Sequence, residues 1–218
     1  MNINLEKLGM HRGQQYEAII TTLNENGKTN AAPFGVFCKG SDKIMCRIFK
    51  GSKSLENILN EKEFVVNITN NPLMFTLATI DTIPDEYLSK IDSKERENKE
   101  LVYLTDSEAY FIVKVDKVSE GLREDNITKS GLFAINGDVI ELKTNIPNPK
   151  AFNRAIHELI NSLVNYTRID LVNEEKQQEF LDKFKESERI IKKVGNTEEK
   201  EAINLLKEQL IAKNYKLD

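Results

Sequence analysis

The residues best suited to chemistry gather in one run, Arg47-Ile48-Phe49-Lys50-Gly51-Ser52-Lys53-Ser54-Leu55-Glu56-Asn57. Cations, hydroxyls and a glycine stand together where a β-rich stretch passes into helical spacing. A phosphate dianion asks for this set: fixed positive charge, charge-assisted hydrogen bonds and free backbone N–H groups at a helix N-terminus. Gly51 lets backbone come close, and Ser52 and Ser54 can bond phosphate oxygen or cap the helix. An ordinary capped helix with basic surface side chains has the same composition, so the run by itself leaves both open.

A second run, Asn30-Ala31-Ala32-Pro33-Phe34-Gly35, lies one strand earlier. Small side chains and a proline within a strand leave main-chain N–H and C=O groups outside a regular ladder, free to bond a flat heteroaromatic ligand. An irregular edge strand reads the same way. Taken as a pair, a planar ring on the first run and a phosphate on the second describe a flavin mononucleotide (FMN).

Other chemistries find little support. Cys38 and Cys46 are the only cysteines and His11 and His157 the only histidines, too few for a closed zinc site or a disulfide scaffold. The 31 Lys plus Arg against 35 Asp plus Glu give a net charge of -4, which argues against nucleic acid or a basic membrane surface as partner. No apolar run approaches the roughly 18 residues of a spanning helix, and no basic-then-apolar leader opens the chain. The expectation is a cytoplasmic protein with reduced thiols, which Cys38 and Cys46 spend as apolar strand residues.

The elements that must position the two runs follow from periodicity. Tyr16 to Leu23 is β-rich and ends at Asn26-Gly27, a hairpin dipeptide, so a returning strand begins near Lys28. Pro33 and Gly35 make that strand an edge, bulged or locally open. Lys43 to Phe49 is a third strand, and Leu55, Ile58 and Leu59 mark a short helix with Ser52 or Ser54 as N-cap. Phe64 to Thr69 is the next strand, ended by Asn70-Asn71-Pro72. Residues 81–99 read as a charged surface insertion with one helical turn after Pro84. Strands return at Ala109 to Val118 and at Leu132 to Leu142, the latter around an Asn136-Gly137 turn. Three helices close the chain: one with a stripe of Phe152, Ile156, Leu159, Ile160 and Leu163, one through Phe180, Phe184, Ile191 and Val194, and one through Ile203, Leu206 and Leu210. The layout is mainly β with α, a β domain over residues 1–146 and a helical segment over 147–218 packed on or near it.

These runs occur in an order that resembles the flavin-reductase-like, FMN-binding split barrels: Asn30-Ala31-Ala32-Pro33, then Arg47-x-x-Lys50-Gly51-Ser52-Lys53-Ser54-Leu55-x-Asn57-Ile58, then Glu63-Phe64-Val65-Val66-Asn67-Ile68. More closely, Tyr16-Glu17-x-Ile19-x-Thr21-Thr22, Gly27, Asn30-x-Ala32-Pro33-x-Gly35-Val36, Asn71-Pro72-x-x-Phe75, Phe152-Asn153-Arg154-Ala155 and Thr167-Arg168 resemble the largely archaeal, uncharacterised family called domain of unknown function 447. The resemblance spans the whole chain. It implies a split β-barrel with non-covalent FMN, acting as a homodimer with a small-molecule electron donor or acceptor. By position, Arg47, Lys50, Ser52, Lys53 and Ser54 would hold the phosphate and Asn57 support the helix start. The backbone from Ala31 to Gly35 would face the ring, with Asn30 leading into it. It implies a flavin-dependent oxidoreductase or flavin reductase; a flavin carrier or redox-responsive module, and a deazaflavin (F420) binder, stand as alternatives. No catalytic residue is inherited, because the family's activity is undefined. Asn153, Arg154, His157, Thr167 and Arg168 are candidates for further contacts, which exposed or structural roles would equally explain.

Overall fold

In the computed structural model, which describes residues 3–91, 100–124 and 129–217, the Asn26-Gly27 hairpin joins β1 (Gln15–Leu23) to β2 (Thr29–Cys38). Gly27 takes a left-handed φ of 74° there, and the Asn24 side chain accepts from the N–H groups of Asn26 and Lys28 at 3.0 and 2.8 Å. The chain continues through β3 (Lys43–Phe49), α1 (Lys53–Glu61), β4 (Glu63–Ile68) and α2 (Pro72–Thr79). A turn of 3-10 helix at Asp85–Tyr87 leads into β5 (Leu88–Ile91), followed by β6 (Leu101–Leu104), β7 (Ala109–Glu124) and β8 (Lys129–Thr144). Six strands close a barrel in the order β1-β2-β3-β8-β7-β4, and β5 and β6 pair as a separate two-stranded sheet. A split barrel with appended helices is the fold class that the sequence anticipates.

Alternation sorts the side chains of β1 between a core inside the barrel and one outside it. Tyr16, Ala18 and Ile20 of β1 join Val36, Ile48, Phe64, Phe111 and Ile135 inside the barrel, where Leu55 and Ile58 of α1 also insert. Ile19, one position out of phase, packs outside with Met74 and Ala78 of α2 and Leu104. Asn67 of β4 ties the layers together: its amide donates to the Ile19 carbonyl at 2.9 Å and to Thr21 Oγ1 at 3.0 Å, and its oxygen accepts from Leu104 N–H at 2.8 Å. Asn67 has no solvent exposure, and a buried amide with these partners fixes the outer sheet to one place on the barrel.

Several expectations need correction. Asn136-Gly137 is no turn: β8 runs through it, pairing with β3 on one side and β7 on the other. The glycine is needed because β7 slips register on either side of Val113 to Val115, and a Cβ on Gly137 would lie 2.3 Å from Val113 Cγ1 and 2.8 Å from the Lys114 carbonyl oxygen. Asn71-Pro72 starts a helix as well as ending a strand. Asn71 caps α2 through its side chain and Pro72 occupies the first turn. The stretch read as an insertion contains a strand, Leu88–Ile91, paired with Leu101–Leu104; its residues 92–99 lie outside the described residues.

The chain divides into two compact units, Met1–Phe152 and Asn153–Asp218. The second is α3 (Ala155–Tyr166), α4 (Glu174–Val194) and α5 (Thr197–Ala212). Asn196 and Glu199 form a reciprocal capping box at the start of α5. In α3 the buried positions are Ala155, Leu159 and Ser162, whereas Ile156, Ile160 and Leu163 of the expected stripe are 40–50% exposed. Small side chains let α3 approach its neighbours closely, and they take the inner face from the larger aliphatics. Phe152, also of that stripe, belongs to the first unit, where its carbonyl accepts from Glu17 N–H at 2.8 Å.

Two expected outcomes follow. Gly137→Ala lowers stability by about 1–3 kcal/mol, read as roughly 3–10 °C in Tm by thermal unfolding; an unchanged Tm would mean that β7 does not crowd this position. Burial pushes the Cys46 thiol up to about 12, and burial raises that of Cys38 as well. On the order of one Cys46 thiol in ten thousand is then ionised at pH 8. Iodoacetamide therefore labels Cys46 in denatured but not in native protein, as peptide mass spectrometry will report.

Candidate functional site

β2 and β3 separate partway along their length. Val36, Phe37 and Cys38 pair with Cys46, Met45 and Ile44, but Thr29–Gly35 pairs only with β1, and Arg47–Phe49 only with β8, among the described strands. The two runs singled out in the sequence are the two lips of this opening. Pro33, opposite Ile19, is tolerated because no second strand asks for its missing N–H.

α1 starts at the opening. Gly51, at φ 81°, turns the chain out of β3 into a conformation that side-chain-bearing residues avoid. Ser52 then caps the helix, its hydroxyl oxygen accepting from Leu55 N–H at 3.3 Å. The first N–H groups of α1, those of Lys53 and Ser54, have no carbonyl one turn back to bond. Two side-chain bonds dock the helix on the first hairpin. Asn30 donates from β2 to Ser54 Oγ at 2.9 Å, and Asn57 donates to Thr22 Oγ1 of β1 at 3.0 Å. Ser54 and Asn57 are both buried, so their polar groups make these bonds where water does not compete.

A cleft of about 380 Å³ lies against this junction, with Lys28, Asn30, Lys53, Glu56, Asn57 and Asp81 among its walls. Lys53 is the cation of the predicted set that enters it. Its ammonium stands 2.6 Å from Asp81 Oδ2, and that hydrogen bond holds the Asp81 carboxyl below the usual carboxylate range. Arg47 and Lys50 are not part of this wall. Arg47 lies over the Phe37 ring, 5.1 Å from its centre, and Lys50 reaches Glu120 at 3.4 Å. The predicted residues thus fall into two groups: Asn30, Lys53, Ser54 and Asn57 bonded or facing one another at the helix start, and Arg47 and Lys50 on the opposite lip.

Along the first lip, Ala31 is buried against Met74 and Ala78, while Ala32, Pro33, Phe34 and Gly35 are half-buried. Phe34 leans on the barrel core. Gly35 lies under the buried Gln15 side chain, whose Nε2 would be 2.2 Å from a Cβ there.

Sequence reasoning missed Asp81, Lys28 and Thr22. No local signal marks Asp81 or Thr22, because they reach the helix start through contacts 28 and 35 positions apart in the chain. Among the later candidates, Asn153 donates to the Val194 carbonyl and accepts from Ala155 N–H, both at 2.8 Å, holding the start of α3 to the end of α4. His157, Thr167 and Arg168 are exposed on the helical unit, and Thr167 Oγ1 donates to the Val164 carbonyl. No helix among the described residues is long and apolar enough to cross a membrane.

Comparison with known proteins adds to the geometry. The N-terminal domain of the protein of unknown function DUF447 matches residues 16–141 and its C-terminal domain matches residues 153–208. Uncharacterized protein MJ1453 of Methanocaldococcus jannaschii is 31% identical over 194 residues, covering 86% of this chain and 94% of the relative. Among solved structures, FMN-bound protein MM1853 from Methanosarcina mazei, a DUF447 protein, is similar at 25% identity and a TM-score of 0.53, over 94% of this chain and 99% of that one. With both domains matched in order and a relative of this identity along most of its length, the chain belongs to the DUF447 family.

Proposed function

We propose that this protein binds FMN non-covalently at the start of α1 and works as a flavin-dependent oxidoreductase of the flavin reductase type. The observation that carries the reading is the convergence of Lys53, Ser54 and Asn30 at a helix N-terminus beside the unpaired lip of β2. Two further supports are the family membership and the FMN-bound relative from Methanosarcina mazei.

The donor set fits the cofactor. A phosphate monoester carries close to two negative charges at neutral pH. It finds here the Lys53 ammonium and the helix N–H groups at the start of α1, while the buried Ser54 hydroxyl, engaged by Asn30, holds that turn in place. The flavin, when bound, supplies the redox chemistry. The protein's own residues bind and orient. Lys53 and the first turn of α1 hold the phosphate, and Asn57 and Asn30 keep that turn against the barrel. The backbone of Ala32-Pro33 offers main-chain groups to the ring edge. Arg47, on the facing lip, has a guanidinium held in place by Phe37.

A charge-assisted contact of this kind contributes about 1.5–3 kcal/mol. Lys53→Ala accordingly weakens FMN binding roughly ten- to hundredfold in a fluorescence titration while leaving riboflavin, which lacks the phosphate, within about twofold. With excess free FMN supplied as electron acceptor, the FMN-loaded protein oxidises a nicotinamide or deazaflavin donor in steady state, the donor's hydride equivalent passing to the free flavin. A wild-type protein that leaves FMN fluorescence unchanged would defeat the reading.

A further inference from the structure

The phosphate subsite already holds an anion. Asp81 Oδ2 lies 2.6 Å from Lys53 Nζ, and Lys28 stands close enough to act on the same carboxylate. Asp81 is delivered by a backbone turn of left-handed conformation, φ 58°, which Asp and Asn tolerate better than most residues. Position matters as much as charge. Asp81, Lys28 and Thr29 wall two adjacent clefts: the one of about 380 Å³ at the start of α1, and another of about 330 Å³ lined also by Ala31, Ile83 and Leu88. The first holds the Lys53 ammonium, and the second mixes Ala31, Ile83 and Leu88 with the charged Lys28, Asp81 and Asp85. Asp81 therefore stands where an anion entering the first cleft meets Lys53.

We propose that Asp81 is the resident counter-ion of the phosphate subsite, occupying Lys53 in the empty protein and yielding it to the flavin phosphate, so that its charge sets FMN affinity. The proposal rests on the FMN reading above. Exchange replaces a single carboxylate charge on Lys53 by a phosphate of nearly twice the charge. The released carboxylate turns to water or to Lys28. Both partners of the pair are more than half exposed, so the exchange requires no buried charge to be stranded, and the competition is correspondingly modest.

The test is Asp81→Asn, which removes the charge, keeps the side-chain shape and suits the left-handed backbone, with Asp81→Gly as a second variant that accepts the same φ. Affinities for FMN and riboflavin are read by flavin fluorescence, and folding by circular dichroism. Both variants are expected to bind FMN about 3- to 10-fold more tightly than wild type, with riboflavin changed by less than about twofold. Equal or weaker FMN binding by both folded variants overturns the counter-ion role and leaves the FMN reading standing. Equal tightening of FMN and riboflavin also overturns it, because the gain would then not involve the phosphate. If neither wild type nor variants bind FMN, the cofactor reading and this proposal fall together.

Discussion

The parting of β2 from β3 is the constraint on which the rest of the first unit depends. A closed barrel satisfies its backbone by ladder pairing on both sides of every strand. This one withholds that pairing over Thr29–Gly35 and over Arg47–Phe49. The missing bonds have to be compensated nearby. α1 does so by inserting Leu55 and Ile58 into the barrel core and by tying its polar first turn to β1 and β2 through Thr22–Asn57 and Asn30–Ser54. The opening, the helix and the cleft are one arrangement, since closing the seam would leave α1 without a place to dock.

Charge tells a local story against a mild global one. The chain is acidic at a net -4, and several cations among the described residues are committed: Lys53 to Asp81, Lys50 to Glu120 and, in the helical unit, Lys192 and Lys207 to Glu188. Exposed pairs of this sort add little to stability, but they decide which cations a small anion meets with a competitor in place. A cation whose partner is mobile and solvated is easier for a ligand to claim than one bonded in the interior.

Much of the fold was legible because strand alternation and helix spacing are direct consequences of burial. Tyr16 to Leu23, the Asn26-Gly27 hairpin, α1 with its Ser52 cap and the three late helices all follow from local pattern. What the sequence hid was decided by tertiary packing. Asn136-Gly137 looks like a turn because its residues permit one, yet the glycine answers to a crowded, bulged neighbour strand. The α3 face was misassigned because small residues won the closest contacts over the larger Ile156 and Ile160. In the site, Lys53, Ser54 and Asn57 were recognisable from helix-start chemistry. Asp81 and Thr22 belong to it through contacts between residues 28 and 35 positions apart, which no window along the chain can reveal.

The strand order also dictates when the barrel can exist. β3 ends at Phe49, yet its long ladder is with β8, which is complete only at Thr144. Closing that loop is entropically expensive and must precede the reward of pairing. As the chain leaves the ribosome, β1 to β4 therefore wait with apolar faces and unpaired edges until the last strand emerges. The helices that follow rest on local contacts and can form as fast as they appear. The first half of this protein is the part that most needs protection from aggregation during synthesis.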